Sequence, residues 1–259
     1  MKNDVLNADI ISSLLKTDAP VTVLAETDST NLYLKKISDS LPEGAVVIAD
    51  CQTAGRGRFK RVFHSPENCG IYMSILLRPE IHAKDAVLIT AAAAVSVSEA
   101  IEKLCGTHTQ IKWVNDILLA SKKVCGILAE SVLNPKTGTI ERAIVGIGIN
   151  VYAPKKGFAP EIKEIAGFIS EKEEENLRNL LCAEIINRLV YYSKNITQKE
   201  FLAKYRSLSA VVGKKINVIS NERKTPATAL DIDENCRLLV EYDDKTREYL
   251  NSGEISVKL

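Results

Sequence analysis

Short apolar runs alternate with helical patterns over roughly the first 150 residues. Seven runs have the length and residue types of β-strands, at 21–25, 45–50, 71–77, 111–113, 117–120, 124–132 and 140–151. The link 134–138, Asn-Pro-Lys-Thr-Gly, is typical of a turn between two strands. Because so short a link joins antiparallel strands, the pattern predicts a mixed sheet and disfavours a purely doubly wound fold.

Helical periodicity predicts three helices in the first half of the chain, at 8–15, 31–38 and 85–104. A longer helix is predicted to begin at Ser170, because Ser170 and Glu173 form the Ser-x-x-Glu pattern of a capping box. The acidic run 171–175 would be its solvated first turn. Its apolar stripe, which favours core packing over a partner surface, is Leu177, Leu181, Ile185 and Leu189.

The pattern changes after residue 208. Five short runs with polar turns between them predict strands at 215–220, 225–232, 237–242, 245–251 and 254–259. Such a series is typical of a small β-barrel. We therefore predict two domains, 1–208 and 209–259.

Composition narrows the classes of partner. The chain has 259 residues with 34 basic and 33 acidic side chains, a net charge of +1, which disfavours a protein built mainly to bind nucleic acid or an acidic membrane. Polar residues interrupt the first 19 positions, and the weakly polar stretch 86–97 is too short to span a membrane. Six cysteines without a Cys-x-x-Cys pair indicate reduced thiols. We expect a soluble, cytoplasmic protein.

Cations are concentrated in one loop. Residues 55–61 read Gly-Arg-Gly-Arg-Phe-Lys-Arg, with four cations and two glycines. Arginine forks match carboxylate and phosphate oxygens, and glycine lets backbone amides approach a ligand, so the pattern indicates an anion-binding lid. The alternative is a solvated loop with incidental charge.

Three further segments could carry chemistry. Alternate positions of 144–151 place two glycines and an asparagine on one face, which indicates close approach of a ligand or packing of a helix on a flat face. The pair Asn115-Asp116 can close a turn; otherwise Asn115 can read an adenine edge, and Asp116 can hold Mg²⁺ or fix a neighbouring lysine. Lys123 is either a snorkelling edge residue or an ammonium placed against a reacting phosphate. Small polar residues at 26–31 exceed what helix capping needs and could bind a neutral polar group.

Five ordered motifs together resemble the biotin protein ligase family: 28–31 (Asp-Ser-Thr-Asn), 52–58 (Gln-Thr-Ala-Gly-Arg-Gly-Arg), 112–116 (Lys-Trp-Val-Asn-Asp), 123–128 (Lys-Val-Cys-Gly-Ile-Leu) and 146–151 (Gly-Ile-Gly-Ile-Asn-Val). The segment Ser252 to Ser256 resembles the end of that family's small C-terminal domain. The resemblance implies an α+β fold, in which helices flank a mixed sheet like that of class II aminoacyl-tRNA synthetases, followed by a small SH3-like β-barrel. It also implies the ligase-only form, without DNA binding.

The implied activity has two steps. Biotin and ATP would form biotinyl-5′-AMP, and a lysine of a biotin carboxyl carrier protein would then accept the biotinyl group. ATP and biotin are therefore the implied substrates, with Mg²⁺, and no membrane is involved. The resemblance leaves a homodimer open.

The resemblance also implies residue roles. Lys123, Arg56 and Arg58 would be catalytic, and Asp116 would lie near the metal. The implied biotin-binding residues are Ser29, Thr30, Asn31, Gln52, Arg56, Gly57, Arg58, Lys123, Gly126, Gly146 and Gly148. The implied nucleotide-binding residues are Arg58, Arg61, Phe63, Lys112, Asn115 and Asn150.

Four positions depart from the family pattern. Phe59 and Lys60 follow Arg58 where small, basic or glycine-like residues are usual, and a position that often holds glycine can require positive φ. Phe63 replaces a tryptophan and would stack on adenine, and Val114 replaces a proline. Two other readings stay open: a lipoate or octanoate ligase or transferase of related fold, and a non-catalytic biotin or adenylate sensor.

Overall fold

The computed structural model describes residues 4–220, 223–251 and 253–257. A seven-stranded sheet contains β1 (Val21–Thr27), β2 (Val46–Gln52), β3 (Gly70–Leu77), β4 (Gln110–Lys112), β5 (Asp116–Leu119), β6 (Lys122–Leu133) and β7 (Ile140–Asn150). The strand order is β1-β2-β3-β7-β6-β5-β4. Only β1 and β2 pair in parallel, and the other pairs of this sheet are antiparallel, so the predicted mixed sheet is confirmed.

The register of the central strands brings the glycines of two motifs together. Gly148 of β7 pairs with Tyr72 of β3 on one side and Gly126 of β6 on the other. Gly146 lies two residues away on the same face, because alternate residues of a strand share a face. We call the surface formed by Gly126, Gly146 and Gly148 the glycine face.

Helices cover both sides of the sheet. They are α1 (Ala8–Leu14), α2 (Thr30–Ile37), α3 (Val87–Cys105), α4 (Leu177–Lys194) and α5 (Leu202–Ser207). The α2 helix lies on the side of the glycine face, where Leu34 packs against Val47, Leu76 and Ile144. The larger core forms on the other side, where α3 and α4 pack against each other. Beyond α2, the side of the sheet that carries the glycine face is thus left mostly open.

The predicted start of the fourth helix is wrong. The α4 helix begins at Leu177, and its N-cap residue Asn176 has left-handed geometry, with φ of 59°. The Ser170 hydroxyl instead donates to the Lys172 carbonyl, while the Glu174 amide donates to the Tyr152 hydroxyl. These bonds hold the acidic run as an exposed turn before the helix. The apolar stripe of α4 is buried, as predicted.

A second sheet follows α5. It contains β8 (Lys215–Ser220), β9 (Arg223–Ile232), β10 (Leu238–Tyr242), β11 (Arg247–Leu250) and β12 (Glu254–Val257), in the order β11-β10-β9-β8-β12. Its pairs are antiparallel, as the predicted SH3-like module requires. Ser252, Lys258 and Leu259 lie outside the described residues. The division at 208/209 falls between α5 and β8 and stays a prediction.

The two sheets are joined near the Lys-Trp-Val-Asn-Asp motif. Trp113 is buried, and its indole Nε1 donates to the Cys236 carbonyl at 3.0 Å. The hydroxyl of Tyr205 in α5 donates to the Val114 carbonyl, and the Trp113–Val114 peptide bond is cis. The motif is therefore fixed from the C-terminal side. None of the described helices is long and apolar enough to cross a membrane.

Candidate functional site

A small pocket on the glycine face collects residues from five separate segments. Its volume is about 50 Å³. Thirteen residues implied by the resemblance line it: Ser29, Thr30, Asn31, Gln52, Arg56, Gly57, Arg58, Phe63, Asn115, Lys123, Gly126, Gly146 and Gly148. The pocket adjoins a groove of about 1070 Å³, whose lining includes the other four, Arg61, Lys112, Asp116 and Asn150.

One end of the pocket is polar and carries no ionised group of its own. The amide and hydroxyl of Thr30 both donate to Gln52 Oε1, at 2.9 and 3.2 Å. Gln52 Nε2 in turn donates to the Ser65 hydroxyl. Ser29 is buried at the N-cap of α2, yet its hydroxyl makes no capping hydrogen bond. Of the three predicted biotin-binding side chains here, that of Ser29 is the best placed to bond a ligand.

Asn31 is held by three neighbours. Its Nδ2 donates to the Leu128 carbonyl and to Glu130 Oε2, and its Oδ1 accepts from the Ser74 hydroxyl at 2.6 Å. A Cβ atom built on Gly146 would overlap the Asn31 amide. Gly146 therefore makes room for Asn31, which lines the pocket and is held in place by these hydrogen bonds.

The basic loop forms a closed hairpin. The Phe63 amide donates to the Gly55 carbonyl and the Gly57 amide to the Arg61 carbonyl, at 2.9 and 2.8 Å. The chain reverses at Phe59 and Lys60, which have positive φ of 55° and 58°. The expectation that the Lys60 position needs positive φ agrees with this geometry, and a lysine there carries a conformational cost that glycine would not.

Two of the three arginines in the loop, Arg56 and Arg58, reach different partners. Arg56 Nη1 lies 3.1 Å from Glu130 Oε2, beside Asn31. Arg58 Nη1 donates to Asn115 Oδ1 at 3.0 Å, and its guanidinium carbon lies 5.0 Å from the centre of the Phe59 ring. The two guanidinium groups therefore bind separate partners, and their predicted role at the substrate carboxylate and phosphate stays a prediction.

Lys123 and Asp116 form an ion pair. Lys123 Nζ lies 2.6 Å from Asp116 Oδ1, and the lysine side chain crosses Gly126. Of the roles open to Asp116, the structure shows the one in which it fixes a lysine. The described residues contain no cluster of three or more His, Cys, Asp or Glu side chains that could hold a metal ion. The predicted metal role of Asp116 stays a prediction.

Phe63 separates the pocket from the groove and lines both. Its ring lies on the glycine face, so close that a Cβ on Gly148 would come within 2.5 Å of it. The ring also meets Tyr72 edge-on, with centroids 6.3 Å apart. Phe63 therefore occupies the flat surface that the glycines provide, and the small volume of the pocket follows from this position.

The far wall of the groove comes from a segment that the sequence analysis did not single out. Residues 154–166 contribute ten lining residues, including the exposed Ile165. The Lys123 amide donates to the Ile165 carbonyl, and Asn150 Nδ2 donates to the Gly167 carbonyl. Asn115 is similarly engaged, since its Nδ2 donates to the Ile127 carbonyl. The Lys123 and Asn150 bonds attach this segment and the adjoining Gly167 to the ends of β6 and β7.

The six cysteines are free thiols. Cys125 lies in β6 within the site region, and burial raises the pKa of its thiol well above the ordinary value. Burial likewise raises the pKa of Cys69 and Cys51, the thiols next to β2 and β3. A raised pKa lowers the thiolate fraction, so these positions are poorly suited to nucleophilic catalysis.

Glu130 is the main site residue that the sequence analysis missed. It contacts two predicted residues, Arg56 and Asn31, but it does not line the pocket itself. The sequence did carry a signal, because Glu130 lies four residues after Gly126 in β6 and therefore on the same face of the sheet.

Comparisons with known proteins identify relatives of both parts of the chain. Residues 23–150 match the model of the Biotin/lipoate A/B protein ligase family, and residues 211–258 match that of the Biotin protein ligase C terminal domain. The chain is 36% identical over 229 residues to the Bifunctional ligase/repressor BirA of Bacillus subtilis, covering 86% of this chain and 68% of the relative. It is 27% identical over 232 residues to the Biotin--[acetyl-CoA-carboxylase] ligase of Mycobacterium tuberculosis, covering 86% and 84%.

A solved structure has the same fold. The biotin protein ligase from Aquifex aeolicus, in complex with biotin and ATP, superposes with a TM-score of 0.75 at 30% identity, covering 92% of this chain and 98% of that chain.

Proposed function

The chain belongs to the biotin protein ligase family, and on that premise we propose that it activates biotin with ATP and transfers the biotinyl group to a lysine of a carrier protein. In the first step a biotin carboxylate oxygen attacks the α-phosphorus of ATP. A P–O bond forms, the α–β bond breaks, and pyrophosphate leaves. In the second step a lysine amine attacks the mixed anhydride, so that an amide forms, AMP leaves and the amine loses a proton.

One observation supports this proposal most strongly. The pocket has uncharged polar groups, Ser29 and Gln52, at one end and cations, Arg58 and Lys123, at the other, on a face made flat by glycines. Biotin has the same polarity, with a neutral ureido ring and an anionic carboxylate. The adjoining groove of about 1070 Å³ has room for a nucleotide, since small-ligand sites measure about 300–1,000 Å³.

The cations would serve the first step. Biotin carboxylate and ATP phosphates repel each other, and preorganised positive groups stabilise the charge that builds up as they meet. We assign that role to Lys123 and Arg58, and we assign closure over the adenylate to the loop around Arg56 and Gly57. The remaining groove residues, Arg61, Lys112, Asn115, Asn150 and Phe63, would bind the nucleotide.

Magnesium fits this site poorly as a resident ion. Asp116 is the one carboxylate predicted for it, and the Lys123 ammonium already lies 2.6 Å from that carboxylate. Magnesium is commonly held through substrate phosphates with one or two carboxylates. We therefore propose that it enters as part of MgATP, the substrate.

A reconstituted assay tests the proposal. The pure protein is mixed with biotin, MgATP and an apo carrier domain, and pyrophosphate release and carrier mass are followed. We expect both pyrophosphate and a mass gain of one biotinyl group. No pyrophosphate and no mass gain would refute the ligase, whereas biotin binding without turnover would favour a sensor. Turnover with lipoate or octanoate in place of biotin would favour the other branch of the family.

Four further features are also proposals, and they rest on the family resemblance or the composition. They are a carrier protein as acceptor, the absence of DNA binding, a cytoplasmic location and the two-domain division. A homodimer is tested by sedimentation with and without biotin, where a mass independent of protein concentration and equal to one chain would exclude it.

A further inference from the structure

Glu130 stands beside the pocket in the middle of β6. It pairs in register with Ile144 of β7, two residues from the Leu128–Gly146 pair. Its side chain is 25% exposed, and it lies on the same face as Gly126. A carboxylate is unexpected next to a pocket for an anionic substrate unless it binds and orients a neighbouring side chain.

Two pocket residues share a single oxygen of this carboxylate. Glu130 Oε2 accepts from Arg56 Nη1 at 3.1 Å and from Asn31 Nδ2 at 2.9 Å. Arg56 comes from the basic loop and Asn31 from α2, so Glu130 connects two elements that are far apart in sequence. Each bond has a charged partner, and such hydrogen bonds are roughly twice as strong as neutral ones.

A second cation of the pocket has the same kind of partner. There Asp116 holds the ammonium group of Lys123 at 2.6 Å. Each of these two pocket cations is therefore oriented by a carboxylate on a neighbouring strand. A guanidinium has five N–H donors in a rigid fork, so fixing one nitrogen sets the direction of the others.

We propose that Glu130 is a positioning residue for biotin, because it aims the Arg56 guanidinium and the Asn31 amide along the pocket wall. This inference rests on the proposed function and adds a residue to it. Since Glu130 acts at the biotin pocket and not at the groove, its loss should weaken the use of biotin and leave the use of ATP unchanged.

The variant Glu130→Gln tests this role. Glutamine keeps the shape and an acceptor for Asn31 but removes the charge that attracts Arg56. We expect the KM for biotin to rise about tenfold, while the KM for ATP stays within about twofold. The control is Glu141→Gln, a half-exposed carboxylate of β7 that lies 3.6 Å from Arg142, which should change neither KM.

A double-mutant cycle separates positioning from general stabilisation. In an Arg56→Ala background, Glu130→Gln should alter the KM for biotin by less than about twofold, since the group it orients is gone. A full tenfold effect in that background would overturn the inference. So would an equal rise of both KM values together with a lower unfolding temperature, because that is the signature of a structural role.

The behaviour of the wild-type protein distinguishes a failure of the positioning role from a failure of the proposed function. If it releases pyrophosphate and Glu130→Gln has a normal KM for biotin, only the positioning role is wrong. If the wild type binds biotin without turnover, the proposed function is wrong. The role of Glu130 is then tested by calorimetry, where the Kd of biotin should be about tenfold higher for Glu130→Gln than for the wild type. If it does not bind biotin, both proposals are refuted.

Discussion

At the residue scale, the ammonium group of Lys123 lies where the pocket opens into the groove, held by Asp116 at 2.6 Å. This is the place where a biotin carboxylate and an α-phosphate would meet. The electrostatic interaction with a cation at this place is strongest when negative charge accumulates in the transition state. The cation therefore contributes more to the rate than to ground-state binding.

Replacing Lys123 with alanine should therefore lower the rate of biotinyl-adenylate formation about 100-fold or more, while the Kd of biotin changes by only a few fold. Pyrophosphate release and calorimetry measure the two effects. Lys122→Ala is the matched control, because the Lys122 ammonium donates to the Glu164 carbonyl instead. An unchanged rate in Lys123→Ala would show that the assigned role is wrong.

Phe63 yields a second prediction at this scale. Its ring lies on the glycine face and leaves a pocket of about 50 Å³, far below the roughly 300 Å³ of a small-ligand site. Since biotin needs that surface, the ring must move when biotin binds. Phe63→Ala should speed biotin association and, because the wall between pocket and groove is lost, also speed escape of the adenylate.

Stopped-flow binding and the half-life of the isolated enzyme–adenylate complex measure these two effects. Val62→Ala is the control, because Val62 is the neighbouring apolar side chain of the loop and is 70% exposed. An association rate in Phe63→Ala equal to that of the wild type would contradict a blocking ring.

At the scale of elements, the sequence predicted most of the sheet and missed the parts that depend on distant contacts. Strand positions followed from apolar alternation, which is local, and the glycine face followed from period-two spacing in β7. The start of α4 was misplaced because a capping box at Ser170 competes with bonds from Tyr152 and with the backbone of Asn176. Tyr152 comes from a segment that precedes this region, so the local pattern does not reveal its bond to Glu174.

The hairpin of the basic loop carries a prediction of its own. Lys60 has φ of 58°, a left-handed conformation that costs a non-glycine residue about 1–2 kcal/mol. Lys60→Gly should therefore favour the closed hairpin and lower the KM for biotin about threefold or more.

Steady-state kinetics measures this change. Lys245→Gly is the matched control, because Lys245 has φ of 70° in an exposed turn of the second sheet. It should affect stability without altering the KM for biotin. A higher KM in Lys60→Gly would show instead that the lysine side chain contributes to binding.

At the scale of the whole molecule, a buried ion network ties the N-terminal segment to the sheet. Arg178 of α4 is 2% exposed and pairs with Asp4 and, at 2.6 Å, with Asp50 of β2. Its Nη1 also donates to the Gly70 carbonyl, and Asp50 accepts from the Asn68 amide. The network thus links the first described residues, α4 and the strands that carry the basic loop.

Arg178→Met should destabilise the protein by about 3–5 kcal/mol, because it leaves buried carboxylates without their cation. Urea unfolding measures the change. Lys103→Met is the control, since the Lys103 side chain is 57% exposed and its pair with Glu184 should contribute at most about 1 kcal/mol. Equal effects of the two variants would contradict a structural role for the buried network.

Local patterns along the chain were enough to indicate the family, the order of its motifs and thirteen of the residues that line the pocket, because motif spacing and alternation are local properties. How those residues pair depends on the tertiary structure. It placed Arg56 against Glu130, Arg58 against Asn115 and Lys123 against Asp116, and it laid Phe63 on the glycine face. Each of these contacts joins groups from different elements, and their geometry is fixed only when β6, β7, α2 and the basic loop pack together.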